Sequence, residues 1–309
     1  MDMSREIAKA EVLIEAIPYI RTFAGSTVVI KYGGSAMTDE SLKMAVITDI
    51  AMLKYLGLRP VVVHGGGREI TDMLGRLGIP TRFIGGQRVT DVQTAQVAEM
   101  VLSGSIGKNL ASDLEKVGVG AVGISGKDGR TLQVEKKKGH HNEDLGYVGN
   151  VVHVDVTLIE SLLDSGFIPV ISPVGIGQDG ATYNINADYA AVAVAGALKA
   201  RKLVFLTDVE GILADVGDSS TLFRSLTVSQ ARGLMAEGVI SGGMVPKTEC
   251  CIAALDKGVR HVHILDGRVA HSILLEIYTH RGIGTMMTGD DEVGSNDQAD
   301  SEVGKEEQA

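Results

Sequence analysis

Strands alternating with helices along most of the chain predict an α/β protein, an open and mainly parallel β-sheet sandwiched by helices. Three observations carry that reading. β-Branched runs such as Thr27-Val28-Val29-Ile30 and Val61-Val62-Val63 have the composition of buried strands. These runs end in glycines, and helical patterns follow them directly. Glycine is frequent, 39 residues against six prolines, as many tight strand-to-helix turns require. With 309 residues, 44% of them hydrophobic, the chain suffices for one large domain or two lobes.

Taken in order, residues 3–24 carry Ile7, Ala10, Ile14 and Ile17 at helical spacing, and Pro18 is expected to kink or break that helix. Such an apolar leading helix needs a surface to cover, its own sheet or another subunit. The first strand runs through Lys31 into Gly33-Gly34, and a helix follows from Asp39 to Leu56. The second strand, 60–64, ends in Gly65-Gly66-Gly67 and opens a helix through Glu69, Ile70, Met73 and Leu77. Two parallel neighbours of this kind bring two glycine turns to one sheet edge, where backbone N–H groups and a helix N-terminus favour anions.

Residues 81–90 read as loop or hairpin, carrying Arg82 and Arg88. Thr90–Gln93 has capping-box spacing, and another helix starts near Gly107. A short strand spans 120–124. Residues 131–154 alternate and predict an antiparallel hairpin on the sheet edge, with Lys136–Lys138 as a solvated face. A helix over 157–165 and a strand over 167–172 follow, then an alanine-rich helix running to about residue 199. Composition shifts there, which marks a lobe boundary. The second lobe begins with the strand 202–208. It continues with a helix over 228–237 behind a Thr227–Gln230 capping box, a helix over 244–257, a strand over 260–265, a helix over 269–278 and a last strand near 285–288. The division is therefore 1–24, a leading helix; 25–199, the first lobe; 200–289, the second; and 290–309, a tail.

The net charge of −10 argues against non-specific binding to nucleic acid or a membrane surface. The tail holds eight acidic residues and one lysine, lacks aromatics, and has the composition of a disordered segment. The folded part is only mildly acidic, so an anionic substrate calls for a locally basic cleft. The two cysteines, Cys250 and Cys251, are adjacent, which excludes a disulfide framework, offers no zinc spacing and fits a reducing compartment. No signal-like apolar segment or run of transmembrane length occurs, and the expectation is a soluble cytoplasmic protein.

Several motifs are decoys. Gly175–Gly180 satisfies GxGxxG but leads into an Asn-rich extended segment rather than a helix, and no Walker A sequence exists. His261 and His263 face one side of a strand without a third ligand, and His140-His141 lies in a polar loop, so no residue is assigned to a metal. Asn184, Asn186 and Asp188 carry more signal. Their alternation places them on one side of an extended segment, where a carboxylate can orient lysines. Gly242-Gly243 precedes a helix with Lys247 in its first turn, against the helix dipole, which points to an anionic ligand. Lys31, Lys247 and three glycine turns are the parts phosphoryl transfer needs: cations on developing charge, N–H groups around phosphate oxygens, and alignment.

In order, ValIleLysTyrGlyGlySerAla (29–36), ValHisGlyGlyGly (63–67), GlyGlnArgValThrAsp (86–91), AsnIleAsnAlaAsp (184–188), LeuThrAspValGluGly (206–211) and GlyGlyMetValProLys (242–247) resemble the amino acid kinase superfamily and, within it, the N-acetyl-L-glutamate kinase family. The match covers roughly residues 3–288. The resemblance implies the amino acid kinase fold and ATP- and Mg²⁺-dependent phosphorylation of the side-chain carboxylate of N-acetyl-L-glutamate, an early step of arginine biosynthesis. It gives Lys31 and Lys247 the charge on the transferring phosphoryl, with Asp188 holding both lysines. Gly33, Gly34 and Gly66 would offer N–H groups to the phosphoryl and the attacking carboxylate. Gly66, Gly67, Arg88, Asn184 and Asn186 would bind acetylglutamate, the Arg88 fork matching its α-carboxylate. Thr207, Asp208, Gly211, Gly243 and Lys247 would surround the nucleotide, with Mg²⁺ carried by the nucleotide rather than by a protein cage.

The leading helix resembles that of the arginine-inhibited branch, in which such helices interlace dimers into a ring-shaped hexamer, a trimer of dimers. By the same resemblance Tyr19, Lys202, His263, Glu276 and Gly282 would form an L-arginine site, and a PII-type signalling protein is a partner by analogy. Two other readings stand beside this one: a kinase for a related N-acylated amino acid such as acetylaminoadipate, and a non-catalytic sensor of arginine or nucleotide.

Overall fold

The computed structural model describes residues 3–37, 39–139, 141–279 and 282–292. The chain opens with α1 (Ser4–Phe23), β1 (Thr27–Tyr32), α2 (Glu40–Tyr55), β2 (Arg59–His64), α3 (Gly67–Arg76), the short β3 (Phe83–Ile84) and β4 (Gln87–Arg88), α4 (Val92–Glu99), α5 (Gly107–Lys116) and β5 (Ala121–Ser125). Next come β6 (Leu132–Lys138), β7 (Asp144–Val154), α6 (Thr157–Asp164), β8 (Ile168–Ser172), β9 (Val174–Gly177), β10 (Thr182–Asn184) and α7 (Ala187–Ala197). The remainder is β11 (Lys202–Thr207), β12 (Ser225–Thr227), α8 (Val228–Ala236), α9 (Met244–Asp256), β13 (His261–Asp266), α10 (Ser272–Ile277) and β14 (Thr285–Thr288).

Eight strands form one sheet in the order β12-β14-β13-β11-β1-β2-β8-β5. All neighbours are parallel except β13 and β14. Strands buried on both faces explain the unbroken apolar runs. Val29, Val61, Val63, Leu203 and Phe205 belong to one core, beneath a helical layer that includes α7 and α9. Val28, Ile30, Tyr32, Val62, Val204 and Leu206 belong to the other, against a layer that includes α2 and α5. β1 pairs with β2 from Thr27 opposite Arg59 to Tyr32 opposite His64, so Lys31 and the two glycine turns emerge side by side at one edge.

Several expectations are corrected. Pro18 does not break α1, which continues to Phe23; its final turn is held because Arg201 Nη1 donates to the Thr22 carbonyl at 3.0 Å. The cap of α4 is Asp91, one residue beyond Thr90, accepting from the Thr94 N–H at 2.7 Å. No loop separates α4 from α5: a π-helical stretch, Met100–Ile106, joins them. The β6–β7 hairpin does not extend the main sheet. It closes with β9 and β10 into a separate four-stranded barrel. Lys136 and Lys138 are exposed, but Lys137 is half-buried, its Nζ 4.0 Å above the centre of the Tyr189 ring.

The helix expected over 269–278 is only Ser272–Ile277, because His271 sits in the left-handed region at φ 60°. Asp290–Glu292, at the start of the supposed tail, form a 3-10 turn, and Asp290 accepts from the Ser229 N–H and hydroxyl. The rest of that tail, residues 293–309, lies outside the described residues, as does His140. The Thr227–Gln230 capping box is present on α8. The rejected GxGxxG belongs to the β9–β10 hairpin, with no helix behind it.

Candidate active site

The site forms where β1 and β2 end. Gly65 N–H donates to the Tyr32 carbonyl at 2.8 Å, fastening the second glycine turn to the first strand. Both turns need glycine. Gly34 has φ +76°, and a Cβ there would stand 2.6 Å from Asp208 Oδ1. A Cβ on Gly66 would collide with the side chains of Ile106 and Leu102. Lys31 folds back so closely that a Cβ on Gly33 would meet its Nζ at 3.0 Å.

Asp188 stands between the two lysines. Its Oδ1 is 2.9 Å from Lys31 Nζ and its Oδ2 3.9 Å from Lys247 Nζ. Burial pushes the Asp188 carboxyl up, but Lys31 and Lys247 outweigh it and hold it below the usual carboxylate range. The group is an anion held between two cations. It does not lie on an extended segment, as alternation suggested. Asn184 ends β10, Asn186 caps α7 by accepting from the Asp188 N–H at 2.8 Å, and Asp188 occupies the first turn of that helix.

A cavity of about 250 Å³ opens beside Lys31 and the second glycine turn, and Arg88, Asn184, Asn186 and Asp188 line it. Arg88 Nη2 donates to the Gly67 carbonyl and to Thr71 Oγ1, both at 2.8 Å, and the guanidinium lies 4.8 Å from the centre of the Phe83 ring. Its Nη1 is buried and has no hydrogen-bond partner among the described residues. One arm of the fork is fixed and the other is an unpaired donor in a residue that lines the cavity, a donor that a carboxylate can satisfy.

Across Asp188, a smaller cavity of about 110 Å³ is lined by Tyr189, Gly243, Lys247 and Cys250. Lys247 also borders an apolar pocket of about 380 Å³ formed by Val209, Ile212, Leu213, Val216, Val239 and Met244, among others. Of the expected nucleotide residues, Gly211, Gly243 and Lys247 line that pocket, while Asp208 faces Gly34 in a fourth cavity of about 290 Å³. Thr207 turns its hydroxyl back on its own loop, donating to the Val209 carbonyl at 2.9 Å. The apolar wall was missed because isolated valines in loops have no periodicity. Lys137 was missed although a signal existed: alternation along a strand turns it away from Lys136 and Lys138. Burial against Tyr189 pushes its ammonium below the usual lysine range.

A second constellation lies away from the cleft. Lys202 Nζ is 3.1 Å from His263 Nε2, and His263 Nδ1 is 2.7 Å from Glu276 Oε1. Glu276 Oε2 accepts from the N–H groups of Ile283 and Gly284, at 2.7 and 3.1 Å, and a Cβ on Gly282 would press on the same oxygen at 2.6 Å. Burial and the Lys202 charge push His263 down to about 4, so the ring is neutral: Nδ1–H donates to Glu276, and Nε2 accepts from the ammonium. Burial pushes Lys202 down to about 8, with Glu276 opposing. Burial raises Glu276, but the His263 hydrogen bond and the backbone donors bring it down to about 2. Lys202 Nζ also lies 4.8 Å from the centre of the Phe23 ring, so the end of α1 covers this cluster, with Tyr19 one turn earlier and half-buried. Among the described residues, no group of three or more His, Cys, Asp or Glu stands close enough to hold a metal ion.

The profile of the amino acid kinase family matches residues 26–266. An acetylglutamate kinase of Thermoanaerobacter sp. (strain X514) is 55% identical over 282 residues, covering 91% of this chain and 94% of that one. Among solved structures, N-acetylglutamate synthase from Neisseria gonorrhoeae complexed with coenzyme A and N-acetyl-glutamate matches with a TM-score of 0.79 at 29% identity, covering 90% of this chain and 63% of that longer one. The same synthase complexed with coenzyme A and L-arginine matches with a TM-score of 0.75 at 28% identity, covering 90% and 65%. Carbamate kinase from Giardia lamblia bound to AMP-PNP shares the fold, with a TM-score of 0.64 at 17% identity over 86% of this chain and 99% of that one.

Proposed function

The chain belongs to the amino acid kinase family, and from that footing we infer that its cleft transfers the γ-phosphoryl group of ATP to the side-chain carboxylate of N-acetyl-L-glutamate. One observation supports the reading: a single carboxylate, Asp188, stands between Lys31 of β1 and Lys247 of α9, beside the second glycine turn. A carboxylate oxygen of acetylglutamate attacks the γ-phosphorus, the new O–P bond forms as the bridging P–O bond breaks, and ADP leaves. Lys31 and Lys247 balance the charge that spreads over the phosphoryl oxygens, while N–H groups of Gly33, Gly34 and Gly66 contact them. The open Nη1 of Arg88 takes the α-carboxylate, and Gly66, Gly67, Asn184 and Asn186 complete the acetylglutamate pocket.

The apolar pocket behind Lys247 suits the adenine and ribose, with Thr207, Asp208, Gly211 and Gly243 around the nucleotide. The Asp208 carboxylate beside Gly34 would be the residue to hold a nucleotide-borne Mg²⁺, whose charge would neutralise phosphate oxygens.

Regulation is part of the proposal. The Glu276 carboxylate of the Lys202–His263–Glu276 cluster and the backbone carbonyl of Gly282 suit the guanidinium and ammonium of L-arginine. The synthase that was complexed with L-arginine supports that choice of effector. α1 exposes Ile7, Ile14 and Ile17, about half or more of each residue, which supports a hexameric ring assembled through that helix. A PII-type partner stays with the family analogy. A cytoplasmic setting fits the free, buried Cys250 and Cys251.

The deciding experiment measures ADP formation dependent on acetylglutamate, with acetylaminoadipate in parallel and L-arginine titrated in. Turnover with acetylglutamate and its suppression by arginine are expected. Preference for the longer acid would sink the substrate assignment, and arginine-insensitive turnover would sink the effector.

A further inference from the structure

We propose that His64 and Ser172 are positioning residues that set the Gly66 N–H against the reacting phosphoryl by fastening the second glycine turn to the π-helical stretch. Neither side chain reaches the cavity, and both are buried to about 1% exposure or less. The inference rests on the phosphoryl-contacting role of Gly66 proposed above.

His64 is the last residue of β2. Its Nδ1 lies 2.8 Å from the carbonyl of Gly65. A carbonyl only accepts, so Nδ1 carries the proton and donates to the turn. On the other side of the ring, Nε2 is 2.9 Å from Ser172 Oγ, at the end of β8. Because Nε2 of the neutral ring only accepts, the single Ser172 hydroxyl proton is shared between Nε2 and the Leu102 carbonyl, 3.1 Å away. Leu102 lies within the π stretch, where its carbonyl accepts from the Gly107 N–H, five residues on instead of four. The three polar groups close around a bare α-carbon. A Cβ on Gly107 would stand 3.0 Å from Ser172 Oγ, 3.2 Å from His64 Nε2 and 3.3 Å from the Leu102 carbonyl oxygen.

The same π stretch turns Leu102 and Ile106 against the glycine turn. Their side chains fill the space that a Cβ on Gly66 would need, and Leu102 also lines the cavity with Arg88 and Asp188. Gly66 is therefore held from both ends. His64 grips the carbonyl just before it, and the π stretch, itself gripped by Ser172, walls it from behind. Apolar side chains at 64 and 172 would take the His64 donor from the Gly65 carbonyl but spare the burial of two polar side chains, so the polar chain here contributes geometry more than stability. That geometry matters because an N–H donor is useful only when pre-aimed at the charge that develops in the transition state.

The test compares wild type with Ser172→Ala, Gly107→Ala and the pair His64→Asn and His64→Ala. The readouts are kcat and KM for acetylglutamate, the thermal midpoint, and amide exchange of the segment carrying Gly65–Gly67. Ser172→Ala is expected to lower kcat about tenfold, with KM within twofold, and to speed exchange in the turn. Gly107→Ala should do the same by pushing a methyl group into the fastener. His64→Asn keeps a donor near the Gly65 carbonyl and should retain several-fold more turnover than His64→Ala at matched thermal midpoints. Wild-type kcat and unchanged exchange in Ser172→Ala would overturn the inference, as would losses that follow the thermal midpoint alone. Absence of acetylglutamate turnover in the wild type would instead remove the functional reading, and the exchange comparison would still decide whether Ser172 orders the turn.

Discussion

Lys31 at the end of β1 and Asp188 in the first turn of α7 meet at 2.9 Å, and that contact fixes the direction of the first cation of the cleft. Lys247 lies 3.9 Å from the other oxygen of the same carboxylate. Asp188→Asn keeps the shape and removes the charge. The two ammonium groups then lose their common anchor and point less closely at the phosphoryl site. The expected outcome is a fall in kcat of about a hundredfold, with KM for either substrate changed much less. Steady-state kinetics with both substrates varied checks it, and a mutant whose loss lies wholly in KM would count against an orienting role.

Arg88 has one arm fastened to Gly67 and Thr71 and one arm unpaired, so removing the fork and removing a fastener should differ in effect. Arg88→Met removes the whole fork and should raise KM for acetylglutamate about tenfold to a hundredfold, since a charge-assisted hydrogen bond contributes about 1.5–3 kcal/mol. Thr71→Ala loosens only the fastened arm and should raise the same KM by roughly threefold, less than half a net hydrogen bond at the upper limit. KM for ATP should stay unchanged in both. A rise in KM for ATP in either variant would move Arg88 from the acid pocket to the nucleotide.

Acid should destabilise this fold well before its carboxylates titrate. Burial pushes His64 down to about 4, His261 down to about 3 and His263 down to about 4. Each is neutral when folded and takes up a proton near pH 6.5 when unfolded. Between those values the unfolded chain binds more protons, so stability falls as pH falls. Each histidine steepens the slope by up to about 1.4 kcal/mol per pH unit. Urea midpoints should drop steadily from pH 6.5 to pH 4.5, and His64→Gln should flatten the profile. A midpoint independent of pH over that window would mean that these rings are not excluded from protonation.

The parts legible in the residues alone were those governed by local chemistry. Val61-Val62-Val63 has the composition of a strand covered on both faces, and Lys31 with Gly33 and Gly34 just beyond it places a cation and a glycine turn at the end of the neighbouring strand. The order of the later glycine motifs then placed Lys247 and Asp188 in the same account. What was not legible depends on tertiary partners. The β6–β7 hairpin alternates equally well whether it joins the main sheet or closes on β9 and β10. Met100–Ile106 carries no local mark of its i→i+5 bonding, and the Ser172 hydroxyl that meets the Leu102 carbonyl there is distant in sequence. The apolar wall of Val209, Leu213 and Val239, proposed for the nucleotide, comes from separate segments that periodicity does not connect.

α1 links the proposed assembly to the proposed effector site. Ile7, Ile14 and Ile17 face outward, so the helix leaves an apolar stripe uncovered by its own chain. Its last turn, by contrast, is fixed. Phe23 lies beneath Arg201 and Lys202 at 4.9 and 4.8 Å, and Arg201 holds the Thr22 carbonyl. A neighbour seated on the exposed stripe would therefore pull directly on the cover of Lys202. Ile14→Asp places a charge in that stripe without touching the Lys202 cluster. Sedimentation should show it as a smaller species than wild type, with basal turnover retained and a several-fold higher arginine concentration needed for half-inhibition. Removing residues 1–24 should produce the same smaller species and a larger loss of arginine response, because Phe23 leaves as well. If Ile14→Asp sediments like wild type, the stripe is not an assembly surface; if it disassembles with arginine response intact, the helix assembles the protein without coupling it to the effector.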